Sequence, residues 1–212
     1  MIDSRFRGPA ASGNGGYTCG LVAACVGNPA EVTLRLPPPL ERPLRFDGRR
    51  LWDDEALVAE AQSAEVELDV PAPVSFEEAN RAAEPDLRSP FPECFVCGHE
   101  RADGLRIFAG AVPGRAVVAA PWIPAEDLLA LEFVWAALDC PGAYATGVPG
   151  RGTVVLGRLA ARVDRLPRAG EGCVVIGWSL GDDGRKHHAG TALFGEAGDL
   201  IGVGRALWIE AK

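Results

Sequence analysis

Along the chain, apolar and polar positions fall into two stretches of similar order, separated by a proline-rich connector. In the first, the glycine-rich entry Ser12-Gly13-Asn14-Gly15-Gly16 leads into an apolar run that predicts a helix over 15–26. Asn28-Pro29 ends it, because proline lacks an N–H and clashes with the preceding turn. Alternating segments then predict strands over 31–36, 43–46, 49–52 and 56–61, with turns at Asp47-Gly48 and Asp53-Asp54-Glu55. In the second stretch the pattern predicts strands over 104–110 and 115–122, a helix over 126–145, and strands over 153–166, 173–180, 187–194 and 200–209. Turns at Asp182-Asp183-Gly184 and Gly195-Glu196-Ala197-Gly198 make its tail an antiparallel meander.

Between the two stretches, Val70-Pro71-Ala72-Pro73 and Ser89-Pro90-Phe91-Pro92 mark 71–92 as a linker. Within it, Ser75 and Glu78 have capping-box spacing, which predicts a short helix over 75–84. The halves also share a short pattern. Arg35-Leu36, three residues, then Leu40-Glu41-Arg42 matches Arg158-Leu159, three residues, then Val163-Asp164-Arg165. Together with the shared order this suggests a degenerate tandem repeat: a truncated copy over 1–70 that lacks its opening strands, and a complete copy over 93–212.

Composition narrows the class. At 212 residues the chain can bury a sizeable core, and 48% hydrophobic with 24% charged residues excludes wholesale disorder and coiled-coil architecture. A net charge of −8 speaks against nucleic acid or an anionic membrane as partner. No apolar run approaches the roughly 20 residues of a membrane helix, and the first thirty residues lack a leader-like core, so a cytoplasmic protein is expected. Six cysteines are too sparse for a disulfide scaffold; most are expected to be reduced and buried.

Three motifs resemble one family. Cys94-Phe95-Val96-Cys97-Gly98 followed by Gly104-Leu105 resembles the opening of PaaI-like hotdog thioesterases. Asn14-Gly15-Gly16-Tyr17 is similar to the His-Gly-Gly entry of that family's central helix, with Asn for His, and Trp135-Ala136-Ala137-Leu138-Asp139 is similar to the stretch that carries its catalytic acid. The resemblance implies an α+β double hotdog, each half a central helix wrapped by a curved antiparallel sheet. It also implies an active site that combines the helix entry of one copy with the acid of the other. With the helices aligned, Asn14 matches Ala130 and Ala23 matches Asp139, so each half holds what the other lost. One site at the seam between the repeats is the expectation.

Thioester hydrolysis needs donors aimed at a developing oxyanion and a carboxylate that attacks or activates water. N–H groups at a helix start are free and lie at the positive end of the helix dipole. Gly16 N–H, helped by Tyr17 N–H, is therefore the expected oxyanion donor, with Asn14 orienting a carbonyl or water and Gly15 admitting the substrate; the alternative is glycines that allow tight passage against the sheet. Asp139 is the expected base or nucleophile, unless the following Pro141-Gly142 leaves it at the surface. Trp135, one turn earlier, either lines the acyl pocket or packs against the sheet. Arg185, Lys186 and His187, with His188, either grip the carrier arm of an acyl-CoA or form a solvated hairpin end.

Cys94-x-x-Cys97 has zinc-ligand spacing, with His99, His187 or His188 as candidates to complete a site, but a second such pair is missing. The family resemblance accounts for the pair without an ion, so no metal and no cofactor are expected. The leading expectation is an acyl-CoA thioesterase, with a homodimer open to it; the competing one is a non-catalytic hotdog module that binds acyl-CoA or a partner protein. A hydratase is a third possibility and is disfavoured.

Overall fold

The computed structural model describes residues 1–84, 89–149 and 152–211, so positions 85–88 of the linker lie outside the described residues. The first helix, α1, runs from Gly15 to Ala23, and the Asn14 side chain caps it by accepting the Tyr17 N–H. Four strands follow: β1 (Ala30–Leu34), β2 (Arg45–Phe46), β3 (Arg50–Asp53) and β4 (Ala56–Ser63). After the linker helix α2 (Phe76–Ala82) come β5 (Gly110–Ala111), β6 (Val118–Trp122), α3 (Leu131–Ala137) and α4 (Cys140–Ala145). The tail is β7 (Val154–Val163), β8 (Cys173–Asp183), β9 (Lys186–Phe194) and β10 (Leu200–Glu210).

Among the described residues, the ten strands join one sheet in the order β2-β3-β4-β1-β7-β10-β9-β8-β6-β5. The junction between the two stretches is the antiparallel pair β1–β7, where Val32 faces Leu159 and Thr33 faces Arg158. One face of the sheet wraps α1, α3 and α4, and the main core lies there, with Val32, Leu159, Trp135, Leu138 and Leu193 fully buried. The opposite face is not left to solvent. Val66, Val74 and α2 residues Ala79 and Ala82 pack with Val174, Ile176 and Phe194 in a second cluster. This double coverage explains why β8 and β9 read as nearly continuous apolar runs rather than clean alternations.

The capping box of α2 is present in both directions, with Ser75 N–H donating to Glu78 Oε2 at 3.0 Å and Glu78 N–H to Ser75 Oγ at 3.2 Å. Three expectations need correction. Residues 104–109 form no ladder: the segment is threaded beside the Cys94 turn, with Leu105 N–H bonded to Phe95 O and Ile107 N–H to Val96 O, while Arg106 takes a positive φ of 56°. The helix predicted over 126–145 breaks into a short 3-10 turn (Glu126–Leu128), α3 and α4. Pro141 has no N–H for a continuous helix but fits the first turn of a new one. The Leu138 carbonyl freed at the break accepts Thr191 Oγ1 at 2.8 Å. Finally, Asp182 and Asp183 belong to β8, so the hairpin turns one step later, at Gly184 and Arg185.

Candidate active site

The start of α1 meets the break between α3 and α4 because two glycines let the helices cross closely. A Cβ on Gly20 would stand 2.5 Å from Glu132 Cα. One on Gly16 would stand 2.7 Å from the Trp135 carbonyl oxygen and inside contact distance of the Asp139 side chain. The expected alternative for Gly15 and Gly16, tight passage, also holds: a Cβ on Gly15 would stand 3.0 Å from Leu156 on the sheet, while Gly16 passes tightly against α3. Trp135 serves that crossing: it is fully buried against α1 and does not line the cavity described below.

Asp139 sits at the break itself, with φ −80° and ψ −80°, and is 2% exposed. Its Oδ2 accepts the Gly16 N–H at 3.0 Å and Asn14 Nδ2 at 2.9 Å. Its Oδ1 is buried without a hydrogen-bond partner among the described residues. Burial pushes this carboxyl up to about 7, against the pull of the Gly16 N–H; Cys94 adds to the rise and Asn14 opposes it. Asn14 is fixed from both ends, since its Oδ1 takes the Tyr17 N–H at 2.8 Å while its Nδ2 also faces Cys94 Sγ at 3.7 Å.

Asn14, Cys94 and Asp139 form part of the wall of a cavity of about 570 Å³, and Gly16 sits behind Asp139 rather than on that wall. Gly15 lines it, as do Leu34, Leu36, Leu156, Trp208 and Ile209, and the only charged side chains on it among the described residues are Arg35 and Asp139. The cavity is thus an apolar hollow with one buried carboxyl and one helix start, the composition expected of a small-molecule site.

Asn14, Gly15, Gly16 and Asp139 are therefore brought together, but two assigned roles change. The Tyr17 N–H is spent on the Asn14 cap, and the Tyr17 ring stacks on Phe6 at 4.1 Å, so Tyr17 offers no oxyanion donor. Arg185, Lys186 and His187 lie off the cavity wall. Arg185 donates to the Glu210 carbonyl, and His187 Nδ1 stands 2.7 Å from Asp182 Oδ1, which ties the β8–β9 hairpin to itself. Sequence reasoning missed Trp208, Arg35 and Cys140 as wall residues. They come from β10, the end of β1 and the start of α4, and only the pairing of β1 with β7 and of β7 with β10 gathers them.

No protein-family model matches this chain, and no curated protein matches it. Solved structures do. A tesB protein of Mycobacterium avium subsp. paratuberculosis is 12% identical, with a TM-score of 0.61 over 94% of this chain and 88% of that one. A candidate thioesterase II of Thermobifida fusca is 14% identical, with a TM-score of 0.63 over 94% of this chain and 88% of that one. A hot dog fold protein of unknown function from Alicyclobacillus acidocaldarius is 12% identical, with a TM-score of 0.59 over all of this chain and 91% of that one. Likeness over nearly the whole length of such chains, together with the helices held in one long antiparallel sheet, identifies the fold expected from the motifs: the chain is an α+β double hotdog.

Proposed function

We propose that the protein hydrolyses an acyl thioester, with acyl-CoA as the substrate class, at the seam where α1 meets Asp139. The observation that carries this reading is a buried carboxyl, in the wall of an apolar cavity, held against a glycine-rich helix start by the Gly16 N–H and Asn14. The names of the tesB and thioesterase II structures are in keeping with it.

In the resting site the Gly16 N–H donates to the carboxylate. A thioester carbonyl seated in the cavity competes for that N–H, and a shared donor leaves the carboxylate more basic. Asp139 then takes a proton from water, the resulting hydroxide attacks the carbonyl carbon, and the oxyanion accepts from Gly16. Collapse expels the thiolate, which recovers the proton from Asp139, giving acid and thiol. Leu34, Leu36, Leu156 and Trp208 offer the acyl chain an apolar wall.

A single site per chain follows from what caps the helices. Asn14 caps α1 and faces Asp139, whereas α3 has Ala130 at its N-cap and no side-chain cap, and α1 carries Ala23 at the position matching the acid. The test is hydrolysis of short, medium and aromatic acyl-CoAs by the wild type and by Asp139→Asn, which preserves shape. At least one thioester should be turned over, and the variant should lose about 10²–10⁴-fold in kcat while staying folded. Undiminished hydrolysis by the variant contradicts the mechanism. Saturable binding with no turnover across the panel would instead support a non-catalytic acyl-CoA-binding module.

A further inference from the structure

Three thiols that take no part in the hydrolytic step converge on one point. Cys94, Cys97 and Cys140 are buried and free of disulfides, and their sulfurs all lie within 4.8 Å of one another, with Cys94 Sγ and Cys140 Sγ 3.9 Å apart. Thiolates bound at about 2.3 Å to one tetrahedral ion stand about 3.8 Å from each other. The cluster therefore reaches ligand geometry by closing less than about 1 Å, which rotamer adjustment supplies.

The backbone around the first two sulfurs is built as a tight turn. Gly98 N–H donates to Cys94 O at 2.8 Å, and Asn14 Nδ2 stands 3.7 Å from the Cys94 sulfur. A Cβ at position 98 would stand 2.5 Å from both Cys94 N and Cys94 O, so the turn requires glycine. N–H donors of this kind form the outer shell that holds a sulfur ligand and offsets its charge. The third sulfur arrives from elsewhere in the chain, on the first residue of α4, directly after Asp139.

We propose that Cys94, Cys97 and Cys140 bind one thiophilic divalent cation of the zinc class. The fourth position is filled by water from the cavity, whose wall includes Cys94 and Cys140. Binding releases one proton from each thiol, and no redox change is involved. A ligand set made only of sulfur selects against magnesium and calcium, which require oxygen. An iron–sulfur cluster is excluded by spacing, because ligands on separate irons must stand further apart than these sulfurs. The bound ion would pin the start of α4 to the 94–98 turn and so fix the seat of Asp139. The proposal concerns metal binding alone and stands whether or not the thioester is hydrolysed.

The test uses the full-length protein, reduced, stripped of metal with a chelator and titrated with Co²⁺ under anaerobic conditions. Thiolate-to-cobalt charge-transfer absorption with tetrahedral ligand-field bands should saturate at a single equivalent and bleach when Zn²⁺ is added. Cys97→Ser and Cys140→Ser should each weaken binding at least tenfold, while Cys25→Ser, which removes an exposed thiol outside the cluster, should titrate like the wild type. If a cluster variant fails to fold, the wild-type titration still decides. Absence of charge-transfer absorption at stoichiometric cobalt overturns the proposal, as does an unchanged titration in a folded Cys140→Ser variant.

Discussion

Replacing Gly16 by alanine adds one methyl group at the point where α1 crosses α3. The new Cβ would stand 2.7 Å from the Trp135 carbonyl oxygen and 3.0 Å from Asp139 Cγ, against the 3.4–4 Å of ordinary contact. The neighbours are backbone and a buried carboxyl, so neither yields by a simple rotamer change, and the helices must part by up to about 1 Å. Overpacking of this size costs about 1–3 kcal/mol. For a chain of this length each kcal/mol lowers Tm by about 2–4 °C. A displacement near 1 Å between a catalytic base and its donor costs about 10²-fold in rate. Gly20→Ala is the matched control. Its Cβ meets Glu132 Cα at 2.5 Å, a comparable clash one turn further from Asp139. Thermal melting and release of free CoA from a preferred acyl-CoA should show both variants destabilised, with kcat/KM falling about 10²-fold for Gly16→Ala and under about tenfold for Gly20→Ala. Equal losses of activity in the two variants would refute the view that Gly16 has a role beyond packing, and a Gly16→Ala variant with wild-type Tm and rate would refute the helix crossing itself.

Other expectations follow from individual contacts. Asn14→Ala removes a helix cap and one donor to Asp139 Oδ2; it should cost about 1 kcal/mol by thermal or urea unfolding and lower kcat more than it raises KM. A wild-type kcat in that variant would show that the Asn14–Asp139 bond does not matter to turnover. The Glu171 side chain, 2% exposed, pairs with Arg165, which holds its carboxyl down at about 2 instead of the usual 4.5. Its contribution to stability is therefore complete above about pH 4.5 and is lost as pH falls from there toward 2, amounting to about 2 kcal/mol after allowance for the partly solvated Arg165. Unfolding titrations at pH 7 and pH 3 should show Glu171→Gln losing less stability over that interval than the wild type, and parallel losses would contradict the pairing.

Much of the sheet was legible because its cues are local. Alternation with Asp-Gly and Gly-bounded turns marked β3, β4 and β10, and the Ser75–Glu78 spacing marked α2. Pattern misled where a local signal has two tertiary outcomes. Leu105, Ile107 and Ala109 alternate inward like a strand, yet the segment bonds to residues 95 and 96 instead of entering the sheet. Pro141 is compatible with both a frayed helix end and a new first turn, and only the Thr191 bond to Leu138 O shows which one formed. At the site, Asn14, Gly16 and Asp139 could be paired through the motif resemblance. Of the two readings of the basic run after Gly184, the contacts fit the hairpin end, with His187 occupied by Asp182 and Arg185 by the Glu210 carbonyl. Cys140 carried a signal that was not used: a third thiol directly after the proposed acid.

The central claim is that one thioester carbonyl can be served by the start of α1 while its carbon faces residue 139. The most direct measurement is a crystal structure of Asp139→Asn with an unhydrolysed acyl-CoA bound. The carbonyl oxygen should lie within about 3 Å of Gly16 N, with the acyl chain against Leu156 and Trp208. A thioester bound elsewhere on the sheet, or seated in the cavity with its carbonyl turned away from Gly16, would contradict the account.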